Sequence, residues 1–431
     1  MEHRARAVEI MGGERVVSER ICRACFAPLD FIFADLGAQP IANDLIRAEN
    51  NLIKEPRYPL RVACCRACRL VQIADDLPAD RLFRSDYVYQ SSISSSFVDH
   101  ARHYVDRMIK DHPFDPQSHI VEIASNDGYL LQFFKRAGLR VTGIEPSASV
   151  AQIARERHAI PTLDVFFGSE EAKKIAADHG QADLIIANNV LAHVPDLYDF
   201  VSGLKLLLKP NGLITIEFPH LLNLLEMGQF DTIYHEHYSY LSLLPLEPLF
   251  QRVGLRIIDV ESLPVHGGSL RIFIVQDSDQ REPTARLINL QQREKQACLD
   301  RDDLYLQFSR RITHLCQKLR DLLINEQKCG RVVAAYGAPA KGNTLLNTAA
   351  IDNHLIAFAV DKAPSKQGHL MPGSHIPIFA PEIIAERKPD TILILPWNIQ
   401  NEIVSELDYV SEWGARFIVP IPTPRFLDEG V

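Results

Sequence analysis

Residues Val121 to Gly128, with the sequence VEIASNDG, form an apolar run that ends in small and polar residues. Such a run is typical of a buried parallel strand that breaks into a ligand-facing turn. On both sides of it, between residues 119 and 220, strand-like segments alternate with helix-like segments. This alternation predicts a parallel α/β sheet with right-handed crossovers, in which the quoted segment supplies a strand and the first ligand-facing turn.

The turn after this predicted strand has the features of a cofactor site. Gly128 allows the backbone to approach a ligand closely, and Glu145 follows about 20 residues on, the usual spacing of a carboxylate that binds ribose hydroxyls. The G-x-G-x-x-G motif of NAD sites is missing, and no glycine nest is present to hold a pyrophosphate. S-adenosylmethionine, which has a ribose but no phosphate, therefore fits better. The candidate cofactor residues in this region are Glu122, Ala124, Asn126, Asp127, Gly128 and Glu145.

Two more polar residues follow later predicted strands of the same sheet. Asp164 lies where the third strand should end and is a candidate for contact with adenine, and Asn188 follows the fourth strand and is a candidate for contact with the methionine portion. Each residue alone is equally compatible with a helix cap or a solvated loop. Together they favour a site at the carboxyl ends of successive strands.

The segment Tyr234–Tyr240 (YHEHYSY) contains two His, one Glu and three Tyr, a density of proton-transfer groups that is unusual for a structural element. His is the default general base near neutral pH, and a neighbouring carboxylate can orient an imidazole. The acid–base candidates are therefore His193, Tyr234, Glu236 and His237. Taken alone, His193 is more typical of a helix start or a core position than of a catalyst.

Gly267 and Gly268 separate two strand-like segments and predict an antiparallel hairpin at the edge of the sheet. His266 and Arg271 flank these glycines and are candidates for contact with a substrate. A hairpin turn without any ligand explains the same residues equally well.

Two CxxC pairs, Cys22/Cys25 and Cys65/Cys68, lie 39 residues apart in a short, Pro-containing segment. Four thiolates in two such knuckles can close a tetrahedral zinc shell that leaves no open coordination position, so the predicted metal is structural. Two unrelated turns with buried thiols are the alternative. Cys64 directly precedes Cys65 and is an alternative fourth ligand.

Composition limits the kinds of partner that we expect. The chain has 431 residues and a formal charge of −9, and its basic residues are scattered, which favours small-molecule partners over nucleic acid. No run of eighteen apolar residues occurs, and no apolar region follows the polar N-terminus, so neither a membrane span nor a secretory signal is expected. A location in the reducing cytoplasm, as a monomer or weak homo-oligomer, is the expectation.

The sequence patterns predict three regions: a zinc-binding module over residues 1–82, a central α/β domain over 83–284, and a bridging helix with a C-terminal Rossmann-like α/β domain over 285–431. The helical spacing within 285–327 predicts one long helix. The turn Gly337–Gly342 can bind a phosphate at a helix N-terminus, with Lys341 as its candidate residue. A glycine-rich turn without a ligand is about equally compatible with this sequence.

Several of these segments together resemble the nucleotide-sugar C-methyltransferases, the family of mycarose 3-C-methyltransferase. The resemblance covers residues 20 to about 420 in the same order, and the Tyr234–Tyr240 motif is its most specific part. It implies a zinc module, a central S-adenosylmethionine-dependent methyltransferase domain and a C-terminal Rossmann-like domain. The matching segments are CRACRLVQ (65–72), IASNDGYLL (123–131), FDTIYHEHYSY (230–240), HGGSLR (266–271) and GAPAKGNT (337–344). One departure is Ala124, where Gly is more usual.

The resemblance also implies a reaction and roles for particular residues. The family transfers a methyl group to a carbon next to the ketone of a TDP-4-keto-6-deoxysugar, through a base-generated enolate. For this chain C3 is the expected carbon, and C5 is the alternative. The family's catalytic positions fall on His193, Tyr234, Glu236 and His237, and its sugar-contacting tyrosines fall near Tyr87 and Tyr89. We assign His237 as the base, oriented by Glu236, with Tyr234 and His193 near the enolate. The roles of the two histidines are interchangeable at this stage.

Two other classes of function are compatible with a zinc module joined to a methyltransferase fold: a scaffold or binding protein, and an RNA methyltransferase. A zinc-ribbon scaffold or binding protein with an inactive methyltransferase fold would not need His237 or Glu145, and both are present. A zinc-containing RNA methyltransferase would need a basic, aromatic stripe, which the sequence lacks. A nucleotide sugar, S-adenosylmethionine and Zn²⁺ are therefore the expected ligands.

Overall fold

The computed structural model describes residues 20–47, 55–82, 91–93 and 95–427, which contain three main β-sheets. The candidate substrate residues Tyr87 and Tyr89 lie outside the described residues. In the described part of the chain, no helix is both long enough and apolar enough to cross a membrane.

The N-terminal region forms an antiparallel sheet around the two cysteine pairs. Its elements are β1 (Ile32–Gln39), β2 (Ile46–Arg47), β3 (Tyr58–Cys64), β4 (Val71–Ile73) and α1 (Ala79–Leu82). The main sheet has the order β1-β3-β4, and a fourth strand, β10 (Ser239–Tyr240), comes from the acid–base motif far along the chain. In this pairing Ser239 lies opposite Gln72, and Tyr240 lies opposite Val71. The candidate catalytic segment is therefore part of the sheet of the N-terminal module.

The central region is the predicted parallel α/β sheet, which the structure confirms. Its elements are α2 (Ser95–Asp111), β5 (His119–Ile123), α3 (Leu131–Arg136), β6 (Arg140–Ile144), α4 (Ala148–His158), β7 (Thr162–Leu163), α5 (Ser169–His179), β8 (Ala182–Asn188), α6 (Leu197–Leu207), β9 (Leu208–Pro219), α7 (Leu221–Met227), α8 (Leu243–Gln251), β11 (Leu255–Leu263) and β12 (Ser269–Gln276).

The strand order of this sheet is β11-β12-β9-β8-β5-β6-β7, and β12 runs antiparallel to both of its neighbours. The predicted hairpin on either side of Gly267 and Gly268 is present as β11 and β12 at the sheet edge. Strand β5 lies between β6 and β8. The chain adds β6 and β7 on one side of β5 and then crosses over to add β8 on the other side. The carboxyl end of β5 is therefore a topological switch point, where ligands bind in open α/β sheets.

The C-terminal region has a second α/β sheet, with the order β16-β14-β13-β17-β18-β19. Its elements are α9 (Ala285–Gln296), α10 (Asp302–Lys328), β13 (Val333–Tyr336), α11 (Ala340–Thr348), β14 (Phe358–Val360), β15 (His369–Leu370), β16 (Ile378–Phe379), α12 (Ile383–Arg387), β17 (Thr391–Ile394), α13 (Gln400–Glu406), β18 (Arg416–Val419) and β19 (Arg425–Phe426). The two-residue strand β15 pairs with β2 of the N-terminal module.

The prediction of one long helix over residues 285–327 is wrong, because the structure has two helices separated at residues 297–301. Cys298 leaves the helical conformation with φ +61°, and Leu299 is buried beside Tyr305, whose hydroxyl donates to the Leu299 carbonyl. No Pro or Gly marks this break. The apolar positions with helical spacing, from Leu304 to Leu322, all belong to α10 and do not extend across the break.

The N-terminal and C-terminal regions share a hydrophobic core. Phe33 of β1 packs against Tyr305 of α10 with ring centroids 5.1 Å apart, and Leu60 and Val62 of β3 belong to the same buried cluster. This packing holds the N-terminal sheet against α10, while β10 ties the same sheet to the central region. The N-terminal module therefore contacts both of the other regions.

Candidate active site

The four predicted metal ligands, Cys22, Cys25, Cys65 and Cys68, meet at one point. Their sulfur atoms all lie within 4.8 Å of one another, with 3.5 Å between Cys22 and Cys68 and 3.6 Å between Cys25 and Cys65. A zinc ion with Zn–S bonds of ~2.3 Å sits in a sulfur tetrahedron with edges of about 3.8 Å. The observed cluster therefore has the size and the donor set of a closed, structural zinc site.

Both knuckles have the same backbone geometry. In each, the residue after the second cysteine has a positive φ (Phe26 +63°, Arg69 +67°), and its N–H donates to the carbonyl of the first cysteine. This turn aims both thiols of a pair at one point. Cys64, the alternative ligand, is instead buried in the hydrophobic core, outside the cluster, so the Cys65/Cys68 register is the one that the structure supports.

The cofactor turn begins directly after β5 and has an unusual backbone. Ala124 and Asn126 both adopt positive φ values, +55° and +50°, and Gly128 follows at +79°. A Cβ on Gly128 would lie 2.6 Å from Ile160 Cδ1, so only glycine fits there. The φ of Ala124 is one that glycine adopts without strain, which agrees with the glycine that the resemblance leads us to expect at this position.

Glu145 lies at the carboxyl end of β6 and holds the cofactor turn in place. Its Oε2 accepts a hydrogen bond from the Asn126 N–H at 3.1 Å, and its Oε1 accepts one from the Ser147 N–H at 2.9 Å. Burial raises the pKa of Glu145 despite these two bonds. Burial also raises the pKa of Glu122 well above its ordinary value, and the nearby charges of Asp127 and Glu145 add to the effect.

Three acceptor oxygens at these strand ends are buried and accept no hydrogen bond from the described residues: Glu122 Oε2, Asp127 Oδ1 and Asn188 Oδ1. Buried acceptors are normally satisfied, so orphaned ones mark a place where a ligand donor fits. A group of buried carboxylates favours a ligand that carries positive charge. Asp164 differs from these residues, since about half of its side chain is exposed and it lies 3.8 Å from Arg155 Nη1.

The Ser-rich stretch before α2 packs on the cofactor turn. The Ser91 N–H donates to Asn126 Oδ1 at 2.8 Å, and the Ser92 hydroxyl donates to Asp127 Oδ2. Residues 91–93 therefore form part of a loop that is packed against the cofactor turn.

The acid–base candidates converge across two segments. His193 ends the short 3-10 helix Leu191–His193 that follows β8, and its ring centroid lies 4.7 Å from that of His237. The ring of Tyr234 also packs against His237, with 4.1 Å between the two ring centroids. Within Tyr234–Tyr240 only Tyr234 and His237 are partly exposed, and the other five residues are buried. Tyr234 and His237 are therefore the two side chains of the motif that remain partly exposed, and His237 lies beside His193.

A main-chain carbonyl fixes the tautomer of each histidine. His193 Nδ1 lies 2.7 Å from the Glu236 carbonyl, and His237 Nδ1 lies 2.7 Å from the Thr232 carbonyl. Because a carbonyl can only accept, Nδ1 carries the proton in both rings, which leaves the basic lone pair on Nε2. Burial lowers the pKa of His193 to about 4, so this imidazole is neutral near pH 7.

The prediction that Glu236 orients His237 is wrong. Both carboxylate oxygens of Glu236 accept hydrogen bonds from Asn43 Nδ2 of the N-terminal module, at 2.7 and 2.9 Å, while the Thr232 carbonyl orients His237. Neighbours in an extended or turning backbone point in different directions, so adjacency in sequence did not place these two side chains together. Burial raises the pKa of Glu236 to about 7.

The shifted pKa of Glu236 predicts a pH-dependent stability difference. The folded protein binds this proton more tightly than the unfolded chain, whose glutamate titrates near its ordinary value of 4.5. The protonated form is thus favoured by folding, and this contribution is lost as the pH rises from 4.5 through about 7. Glu236→Gln cannot titrate at this position, so the variant does not lose this contribution as the pH rises. The free energy of unfolding of the variant minus that of wild type should therefore rise by about 3 kcal/mol between pH 4.5 and pH 8. Urea denaturation at both pH values measures this, and an equal difference at the two values would contradict it.

The assignment of Arg271 to the substrate is also corrected. Arg271 lies opposite Glu217 in the β12–β9 pairing and is 1% exposed. Its Nη2 donates to Glu217 Oε2 at 2.6 Å and its Nη1 donates to Glu261 Oε2 at 2.8 Å. A guanidinium buried this deeply needs such partners, and they hold it in the sheet instead of the cleft.

The remaining substrate candidates lie near the C-terminal region. His266 belongs to the 3-10 helix Val265–Gly267, and its side chain is outside the described part of the structure. Lys341 Nζ lies 4.7 Å from the centre of the Trp397 ring and donates to Asn398. The indole N–H of Trp397 donates to Asp231 at 2.6 Å, three residues before Tyr234. Lys341 is therefore connected through Trp397 to the start of the acid–base motif.

Sequence reasoning missed Asn43, Asp231 and Trp397. The resemblance includes Asp231 in a matching segment, yet a carboxylate beside a Thr gives no sign of an indole partner 166 residues away. Asn43 follows Pro40 in what looks like an ordinary loop. The hydrogen-bond partners of these three residues lie far from them in the sequence, so the contacts become visible only in the three-dimensional structure.

Comparisons with known proteins agree with this architecture. Residues 22–83 match the family model "Putative zinc binding domain", residues 97–260 match "Methyltransferase domain", and residues 264–422 match "C-methyltransferase C-terminal domain". A ubiquinone biosynthesis O-methyltransferase of Coxiella burnetii is 21% identical over 34% of this chain and 68% of its own length. The solved structure of magnesium protoporphyrin IX methyltransferase from Synechocystis with bound SAM has a TM-score of 0.33 and 15% identity, covering 46% of this chain and 90% of that one. At that TM-score the likeness carries no argument.

One relative that covers most of this chain is the C-methyltransferase NovU of Streptomyces niveus. It is 36% identical over 406 residues, which are 94% of this chain and 96% of NovU. The chain therefore belongs to the C-methyltransferase family that includes NovU, and it is an S-adenosylmethionine-dependent methyltransferase with a zinc-binding domain.

Proposed function

We propose that the protein methylates a nucleotide-linked 4-keto-6-deoxysugar at the carbon next to the ketone, with C3 as the expected position, in the biosynthesis of branched deoxysugars. The observation that carries this proposal is the pair of imidazoles, His193 and His237, whose ring centroids lie 4.7 Å apart and whose Nδ1–H groups both donate to main-chain carbonyls, so that each ring has its lone pair on Nε2. A carbon beside a ketone is acidic enough for an imidazole to remove its proton, and C-methylation requires such a carbon nucleophile.

In the proposed reaction His237 Nε2 takes the proton from C3, and the electron pair of the broken C–H bond moves onto the ketone oxygen. The Thr232 carbonyl keeps Nδ1 protonated during this step and supports the imidazolium that forms. The electron pair would then return from the enolate oxygen and C3 would form the bond to the methyl group, while the sulfur of the cofactor would keep the electrons of the former methyl–sulfur bond. S-adenosylmethionine supplies only this electrophilic methyl group.

The enolate oxygen needs a hydrogen-bond donor, and the phenol of Tyr234 is better suited to this than His193. The low pKa of His193 and its Nδ1 bond to Glu236 leave Nε2 as an acceptor near neutral pH. His193 is therefore positioned to accept from a sugar hydroxyl or, if His237 is absent, to serve as the base. This refines the interchangeable roles that the sequence allowed.

The cofactor is proposed to bind over the turn after β5. The buried acceptor oxygens of Glu122, Asp127 and Asn188 have no donor among the described residues and suit the ammonium group of S-adenosylmethionine. Glu145 is proposed to receive the ribose hydroxyls, and Asp164 to contact the adenine. Ala124, Asn126 and Gly128 shape the turn by their positive φ values.

Replacing Glu145 with Ala is expected to weaken S-adenosylmethionine binding by about 10²-fold. The change removes the charged acceptor for the ribose and also the partner of the Asn126 and Ser147 N–H groups, and hydrogen bonds to a charged group are worth roughly 1.5–3 kcal/mol. Isothermal titration calorimetry measures the loss. Glu156→Ala, which removes an exposed carboxylate from α4, is the control and should bind like wild type. Unchanged affinity in Glu145→Ala would contradict the ribose assignment.

The three regions have separate proposed roles. Residues 1–82 bind zinc, residues 83–284 carry out methyl transfer, and residues 285–431 bind the nucleotide, with Lys341, which lies over the Trp397 ring, as the candidate cation. Tyr87 and Tyr89 are proposed to contact the sugar, as is His266. We propose a small-molecule substrate without nucleic-acid or membrane partners, and a monomer or weak homo-oligomer in the cytoplasm.

Mass spectrometry of TDP- and GDP-linked keto sugars incubated with the enzyme and methyl-labelled S-adenosylmethionine tests the reaction. One labelled methyl should appear on the carbon beside the ketone. The matching 4-hydroxy sugars are the control, since they cannot form an enolate and should remain unlabelled. Labelling of the hydroxy sugars on oxygen would refute C-methylation through an enolate.

The competing function, a scaffold with an inactive methyltransferase fold, makes a different prediction. Such a protein would either fail to bind S-adenosylmethionine or bind it without turnover of any keto sugar. Calorimetric titration with S-adenosylmethionine tests the first case, and the labelling of keto sugars tests the second. Tighter binding of NAD than of S-adenosylmethionine would refute the methyltransferase assignment of the cofactor turn.

A further inference from the structure

The turn that contains Ala42 and Asn43 belongs to the N-terminal module but lies against the acid–base motif. The amide nitrogen of Asn43 lies 2.7 and 2.9 Å from the two carboxylate oxygens of Glu236. Glu236 is 3% exposed, whereas Asn43 is exposed. A residue at the surface of one module therefore covers a buried carboxylate of another, and no catalytic assignment explains this contact.

The contact continues into the histidine pair through the backbone of residue 236. The Glu236 carbonyl accepts the hydrogen bond that fixes His193 Nδ1 at 2.7 Å, and His237 is the next residue in the chain. Holding the Glu236 side chain restrains the backbone of residue 236, which carries this carbonyl and the peptide that leads to His237. The positions of both imidazoles thus depend on where residue 236 is held.

The same turn is held from its other side by the C-terminal region. Asn343 of α11 is buried, and its Nδ2 donates to the Ala42 carbonyl at 2.7 Å. Helix α11 begins at Ala340, next to Lys341. Residues 42 and 43 therefore form a short bridge from the first turn of α11 to Glu236.

We propose that Asn43 is a positioning residue for methyl transfer: its side-chain amide holds Glu236, and through it sets the placement of His193 and His237 against the substrate. This inference rests on the proposed function of the histidine pair. It assigns to the N-terminal module a part in turnover in addition to binding zinc, and it gives the buried Glu236 carboxylate a role that does not require contact with substrate.

Asn43→Leu tests the proposal by removing the amide donor at nearly constant size. We expect kcat to fall by about 10²-fold, because a displacement of about 1 Å in a catalytic group has an effect of that order. The zinc content, the affinity for S-adenosylmethionine and the KM for the nucleotide sugar should change little, since Asn43 is exposed and lies outside the cysteine cluster and the cofactor turn. Asp44→Ala, a change at the exposed neighbouring residue, is the matched control and should keep the wild-type kcat.

A pair of substitutions distinguishes positioning from a general structural role. Asn43→Asp places a second carboxylate against Glu236, so kcat should fall; adding Glu236→Gln restores a donor–acceptor pair with reversed polarity and should raise kcat about tenfold above that of Asn43→Asp. In the wild-type background Glu236→Gln should not raise kcat. Failure of the double variant to recover, with zinc and cofactor binding intact, would overturn the proposal.

The outcomes also separate this inference from the proposed function. If the wild-type enzyme labels no keto sugar, the proposed function fails. If the wild type is active and Asn43→Leu has the same kcat, the positioning role of Asn43 is refuted while the proposed function stands.

Discussion

His237→Asn should reduce methylation by ~10²–10⁴-fold, the usual contribution of a general base. The substitution removes the Nε2 lone pair that we propose takes the C3 proton, and it leaves the cofactor turn after β5 untouched. Calorimetry should therefore show normal S-adenosylmethionine binding. With S-adenosylhomocysteine bound, so that no methyl can be donated, wild-type enzyme in heavy water should exchange the C3 proton, and the variant should not.

Tyr234→Phe is the matched comparison for this experiment. It keeps the ring that lies 4.1 Å from His237 but removes the phenol, so methylation should slow less than in His237→Asn if the phenol only steadies the enolate. If His237→Asn retains near wild-type turnover, the base is another residue, and His193→Asn is the next variant to measure.

The second large effect is expected from Cys68→Ser. Wild-type protein should contain one zinc per chain, and the variant should lose it together with the fold of the N-terminal module, because a structural zinc site supplies folding free energy directly. Strand β4 begins three residues after Cys68 and pairs with β10 of the acid–base motif. Loss of the zinc should therefore also abolish methylation, although no cysteine ligand lies in the cofactor turn or the histidine pair.

Cys64→Ser is the control for this prediction. It alters a buried thiol directly beside Cys65, but one that is outside the four-sulfur cluster, so the variant should retain its zinc. Metal analysis by mass spectrometry measures both variants. Freshly purified wild type without zinc, or equal zinc loss in Cys64→Ser and Cys68→Ser, would contradict the assignment.

The cofactor turn and the zinc site were predictable because their signals are local. The run that ends at Gly128 and the spacing of each CxxC pair report directly on backbone geometry, and the structure has a strand end and two matching knuckles at these places. Each of these features is decided within a few residues. Short-range patterns carry that kind of information well.

Side-chain direction within the acid–base motif could not be read in the same way. The sequence identifies Tyr234–Tyr240 as chemically important, yet it does not show that His237 is held by Thr232 while Glu236 turns away to Asn43. The order of the residues suggested a hydrogen bond between Glu236 and His237. In the structure the Glu236 carboxylate is bound by Asn43 of the N-terminal module instead.

Arg271 shows the same limitation for a charged residue in a strand. Its position beside a glycine turn suggested a substrate contact, but β12 pairs with β9 so that Arg271 lies opposite Glu217 under α2. Strand register is a long-range property. Without it, the face of the sheet on which a side chain lies is unknown.

Strand β10 has a consequence for how the chain folds as it is synthesised. Tyr240, the partner of Val71, lies 169 residues further along the chain. At ~5–20 residues per second, a ribosome delivers that partner roughly 10–30 s after β4 has emerged. For this interval β4 is an open edge with unpaired backbone groups, which is the kind of surface that recruits other chains. The nascent N-terminal module thus depends on its metal, or on a chaperone, until the middle of the protein has been translated.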